Sequence, residues 1–143
     1  MGILCDLFVS TREEALEYES ATADNEARLA RYAPVEWKGL TSLEFGTLWA
    51  LLDGQDWDVE KHMLIDVAIG EEGETWLHQF PDDYLALLKD LDAPRLARAA
   101  EAWSQTEEIS WPVAELVPVI ESMVQLAKDA TSRKLGLFMW GSL

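Results

Sequence analysis

The chain has 143 residues, 49% of them hydrophobic, with seven tryptophans and a formal net charge of -16 from 27 acidic against 11 basic side chains. Such an apolar fraction supplies a core, which excludes a disordered acidic tail, and the shortage of Lys and Arg excludes direct nucleic-acid binding, whose affinity comes from cations displacing counterions. One globular domain over residues 1-143 is expected at this length, with no need of disulfides.

In chain order, the run Gly2 to Val9 is almost continuously apolar and reads as a strand covered on both faces. Cys5 stands alone within it, so no internal disulfide forms and a small buried hydrophobe in a reducing cytoplasm is expected. The run lacks a basic leader, is interrupted by Asp6 and falls far short of the roughly 20 residues of a spanning helix, so neither a signal peptide nor a membrane anchor is expected. Thr11 with Glu14 forms a capping box ahead of a short helix over 12–18. From Glu19 to Lys38 the chain reads mostly as loop, with a helical turn around Glu26 to Tyr32 and a stop at Pro34.

Thr41 and Glu44 form a second capping box, Phe45, Leu48, Trp49 and Leu52 share one stripe, and Gly54 ends a helix over 42–53. Residues 62–69 fit either a helix end or a strand, and Gly70 to Glu74 is a loop. Pro81 suits the first position of a helix whose stripe is Tyr84, Leu87, Leu88 and Leu91. Asp92 caps a second helix with Leu96, Ala99, Ala100 and Trp103 inward, so 81–106 reads as a hairpin of two antiparallel helices in contact. A long helix over 112–132 buries Val113, Leu116, Val117, Ile120, Met123, Val124 and Ala127, with Pro118 bending it or delaying its start. Leu135 to Trp140 is the last strand, pairing with the first. The expected fold class is therefore α+β: a single, mainly helical domain with a small sheet made by its N- and C-terminal strands.

Charge is unevenly placed. From Asp53 to Asp83 there are ten acids (53, 56, 58, 60, 66, 71, 72, 74, 82 and 83) against Lys61 alone, a local net of -9, whereas the 22 residues from Ser122 carry +2. Trp49 and Trp103 fall on buried stripes; Trp37, Trp57, Trp76 and Trp111 fall at element edges, where aromatic rings either seal a core or line a groove that holds an arginine.

Motifs of catalysis are missing: the sequence holds no G-x-S-x-G, no phosphate-cradling glycine loop, no H-E-x-x-H and no paired cysteines. His62 would share a helix face with Asp58 and Asp66, and His78 lies near Asp82 and Asp83, but neither spacing is diagnostic of a metal, and no metal or cofactor is expected. Adjacent acids such as Glu71 and Glu72 read as a solvated face.

The layout resembles the YfbM-like family of small bacterial proteins: Met1-Gly2 before a strand and short helix, a helix carrying Trp49, a helical hairpin, and a long helix leading to the tail Leu137-Phe138-Met139-Trp140. The resemblance implies an α and β domain with no established activity, and it transfers no functional residues.

The function expected from these features is that of a non-enzymatic acidic binding protein, inhibitor- or immunity-like, which docks a basic protein partner. Asp56, Asp58, Glu60, Glu71, Glu72 and Glu74 would supply the field, and Trp57 and Trp76 the apolar anchors. The alternative is a small enzyme or ligand-binding domain whose pocket uses His62 or His78 as acid or base.

Overall fold

Alternation along the first strand divides the interior into two cores. In β1 (Leu4–Ser10), Cys5, Leu7 and Val9 enter the larger core while Phe8 enters a smaller one on the opposite side. A strand buried on both faces has no polar side to show, which is why its sequence reads as a nearly continuous apolar run, interrupted by Asp6. The computed structural model describes residues 3–20, 32–107, 109 and 111–143. Among them are five helices and five strands in one α+β domain.

The sheet is antiparallel throughout, in the order β2-β1-β5-β4-β3. The terminal strands pair as expected, with β5 (Gly136–Ser142) running from Gly136 opposite Ser10 to Ser142 opposite Leu4. Three short strands extend that pair beyond the small sheet expected. β2 (Val35–Lys38) arises from a stretch read as loop, and β3 (Ile65–Ile69) resolves the ambiguity of 62–69 in favour of a strand. β4 (Thr75–Gln79) escaped notice because it is five residues long and both its faces are covered, so it shows no polar alternation. The turn expected over Glu26 to Tyr32 lies outside the described residues apart from Tyr32.

Helix α1 (Arg12–Ser20) packs Ala15 and Tyr18 on the smaller core, against Phe8, Leu77, Phe138 and Trp140. Its capping box is formed, with Thr11 Oγ1 accepting from the Glu14 amide at 3.1 Å and Glu14 approaching the Thr11 amide at 3.4 Å. The Tyr18 hydroxyl donates to Asp6 Oδ2 at 2.6 Å across this core, giving the buried carboxylate a partner.

The other four helices cover the opposite face. α2 (Ser42–Asp53) starts at Thr41, whose hydroxyl accepts from the Leu43 amide and contacts Glu44, and ends at Gly54 in the left-handed region (φ 70°). In α3 (Asp82–Lys89) Pro81 is the extended residue before the helix, not its first member. In α4 (Ala93–Ser104) the Asp92 carboxylate caps the Arg95 amide at 2.9 Å. The expectation that α3 and α4 pack on each other is overturned: the two helices have almost no mutual contact, and each packs on α5 (Val113–Arg133) and α2 instead. Two hydrogen bonds show how. Tyr84 Oη of α3 donates to the Phe45 carbonyl at 2.6 Å, and Trp103 Nε1 of α4 donates to the Glu44 carbonyl at 3.1 Å, so both grip the first turn of α2. Helix α5 begins at Val113, ahead of Pro118, so the proline does not delay its start. Val113 itself is exposed rather than inward, and Val119 and Ala130 complete the buried stripe.

Candidate functional site

Beyond α2 the acidic chain folds back over that helix. At Gly46 the helix backbone approaches the His62 carbonyl so closely that a Cβ would stand 2.5 Å from its oxygen, and the Trp57 indole covers the same spot. The turn is organised by Asp58. Its Oδ1 accepts from the Glu60 amide at 2.9 Å, its carbonyl accepts from the amides of Lys61 and His62 at 3.1 and 2.7 Å, and its own amide donates to His62 Nδ1 at 3.0 Å. With Nδ1 accepting, the neutral ring carries its proton on Nε2, which faces Asp53 Oδ2 at 3.3 Å. Both nitrogens of this buried imidazole are thus committed to holding the loop on α2, and its ring meets Trp49 edge-on at 5.4 Å. Lys61 Nζ lies 3.2 Å from the same Asp53 oxygen and also bonds Gln55. Burial works to raise the Asp53 carboxyl, but the hydrogen bonds from His62 and Lys61 and the lysine charge outweigh it, leaving the group below its ordinary value.

His78 lies elsewhere, in β4, facing the larger core's side of the sheet, with Met139 and Asp66 as cross-strand neighbours. Its Nδ1 is 2.9 Å from Asp66 Oδ1, a close ion-pair distance outside hydrogen-bond alignment. Burial lowers the affinity of the imidazole for a proton, and the Asp66 charge offsets that only in part. The helix face imagined for His62 with Asp58 and Asp66 does not form, because 62 closes a turn and 66 is in a strand; nor does His78 sit at a helix start beside Asp82 and Asp83. Among the described residues no three His, Cys, Asp or Glu side chains gather as metal ligands. Cys5 is fully buried, and burial, reinforced by the negative Asp6 and Glu44, pushes its thiol far above the usual range.

The expected docking residues fall into two groups, one at each end of β3. Asp56, Trp57, Asp58 and Glu60 lie on the loop before it, and Glu72 and Glu74 lie at the turn after it, where Glu71–Gly73 forms one 3-10 turn. The side chain of Glu71 is outside the described residues. Between the groups in the chain runs β3, five residues and about 15 Å long. Lys61, the basic residue of this segment, is drawn to Asp53, and no described basic side chain pairs with Asp56, Glu60, Glu72 or Glu74, all of them exposed.

The two expected anchors part company. Trp57 is 42% exposed, whereas Trp76 is packed against the larger core above Gly141, on the sheet side facing the helices. Trp37 and Trp111 also pack against that core, so among the four edge tryptophans it is Trp57 that faces solvent. Sequence reasoning passed over other exposed apolar side chains of the same segment: Val59, Met63, Ile65 and Ile69, the last exposed by 71%. An apolar run closed at both ends by acids was the available signal, since such charges commonly guard a strand that stays exposed.

A groove of about 390 Å³ opens between α3 and the end of α5, lined by Asp82, Leu85, Lys89, Thr131 and Lys134 among others, and neither histidine enters it. No helix of the described residues is long and apolar enough to cross a membrane. Compared with known proteins, the chain matches no family model, no curated protein and no solved structure.

Proposed function

We propose that this protein is a non-enzymatic, cytoplasmic binding protein, inhibitor- or immunity-like, that docks a basic protein partner on the acidic surface around β3. One observation carries this: Asp56, Glu60, Glu72 and Glu74 stand exposed without a described basic partner, while Lys61 is held by Asp53. An unneutralised field of one sign attracts a cationic surface and accelerates encounter, and the half-exposed Trp57 beside it provides apolar area of the kind that concentrates binding energy. The same charge disfavours nucleic acid as a direct ligand. The lone, buried Cys5 accords with a reducing compartment.

Capture of partners from a native lysate at low and high salt, with the wild type and with an Asp56→Lys, Glu60→Lys, Glu72→Lys variant, tests the proposal. Asp58 is spared because its carboxylate builds the turn. A basic protein retained at low salt, released at high salt and lost by the variant is the expected outcome. A specific partner whose binding ignores both salt and the three reversals would overturn it. The acid–base alternative at His62 or His78 gains no observation: the His62 nitrogens hold a loop, and His78 is a partly buried strand residue beside Asp66.

A further inference from the structure

We infer that the outer edge of β3 receives an extended cationic segment of the partner as a sixth strand of the sheet. Strand addition deepens the acidic docking proposed above and rests on it. The geometry begins with the strand order, which leaves β3 at one margin with no described strand on its outer side. A margin strand presents main-chain amides and carbonyls that another extended chain can satisfy. Here the backbone edge is accompanied by apolar side chains on both sheet faces, with Ile65 beside Gln79 on the α1 side and Ile69 beside Trp76 on the side of the other helices.

The opposite margin is built differently. β2 has four residues, follows Pro34 and ends in Lys38, and proline and lysine are the usual means by which an edge rejects further strands. β3 contains neither. Its guards are a bulge at Val67 and carboxylates: Asp66 in the strand, Asp56, Asp58 and Glu60 before it, Glu72 and Glu74 after it.

Acidic guards choose the occupant. A second copy pairing antiparallel along β3 would set Glu72 and Glu74 of each protomer toward Asp56 and Glu60 of the other, and a parallel pairing would set like groups together, so either arrangement concentrates negative charge. A segment with Lys or Arg at both ends reverses the sign of those contacts. The edge of β3, about 15 Å long, matches about five extended residues, so the fitting chain has a short strand-forming centre with cations on each side, toward the acids that precede and follow the strand. The bulge bends the edge, and a short segment follows that bend more readily than a long flat strand does.

The probe is the peptide Lys-Lys-Val-Thr-Val-Thr-Val-Lys-Lys, compared with the same peptide N-methylated at its five central residues, which keeps charge and side chains but removes the ladder donors. Affinity at low salt and amide exchange of Ile65–Ile69 in the full chain are the readouts. Expected are at least tenfold tighter binding of the unmethylated peptide, at least tenfold slower exchange at amides of β3, and loss of both with Asp56→Lys, Glu60→Lys, Glu72→Lys. Equal, salt-sensitive binding of both peptides without protection of β3 overturns strand addition and leaves acidic docking standing. Failure of both peptides to bind at low salt removes the docking as well. Protection of β3 that rises with protein concentration in the absence of peptide assigns the edge to a second copy and overturns the cationic occupant.

Discussion

The indole of Trp76 occupies the space above Gly141, its direct neighbour across the β4–β5 ladder, where a β-carbon at 141 would collide with Nε1 and Cε2. A glycine in the middle of a strand weakens it, so its place here is explained by what it admits: an aromatic ring that closes the larger core over the sheet.

Replacing Gly141 by Ala forces that ring aside, and the overpacking costs about 1–3 kcal/mol. Urea denaturation should show the loss. Adding Trp76→Leu to Gly141→Ala should cost less than the sum of the two single changes, since the collision is shared. Strict additivity would show that the ring and the glycine are energetically independent.

Tyr18→Phe removes the hydroxyl that donates to Asp6 in the smaller core. Taking one donor from a buried carboxylate costs about 1–3 kcal/mol, and the ring stacking on Phe8 at 4.1 Å remains to hold the side chain in place. Equilibrium unfolding should therefore register the change with little alteration of the native circular dichroism.

Acidification acts on His78. Its imidazole binds a proton less readily folded than unfolded, so the unfolded chain protonates first as pH falls through the ordinary value of 6.5, and stability drops until the lower folded value is passed. Asp66→Asn removes the charge that opposes this depression, so it should lower the folded value further and widen the window over which stability is lost. Imidazole NMR titration of the two histidines, with His78→Gln to assign the signals, measures it. Asp53 works in a separate range: its carboxyl is depressed below 3.8, so its contribution is intact above that value and lost as stronger acid protonates the folded form.

Cys5 should resist alkylation and aromatic disulfide reagents in the native protein near neutral pH and react fully after denaturation. Burial both blocks access and disfavours the thiolate. Stoichiometric labelling without loss of structure would show that β1 is more open than its packing implies.

Local chemistry made some elements legible in advance. Thr41 with Glu44 at one end and Gly54 at the other delimit α2 to the residue, because caps act within a turn of the groups they satisfy. Thr11 with Glu14 marked the start of α1, which continues to Ser20, two residues past the expected end. The histidines were not legible. The partners of His62 are Asp53, nine residues back, and the Asp58 amide, reached through a turn and not through the helix face that the spacing suggested. His78 depends on Asp66, brought beside it by strand pairing. The same distinction governed the tryptophans: edge positions in sequence did not separate Trp57, exposed, from Trp76, packed on Gly141.

What the amino-acid sequence determined by itself was whatever depends on neighbours within a turn or on summed composition: the capped helices, the doubly buried first strand, the acidic middle third. Tertiary structure alone decided that α3 and α4 grip α2 and α5 instead of each other, that β3 lies at the sheet margin with Ile65 and Ile69 exposed, and that the acids bracket that strand in two groups. The physical reason is range. Capping and charge balance are settled by residues a few positions apart, whereas strand order and the choice of packing partner depend on contacts between residues far apart in the chain, which no local pattern encodes.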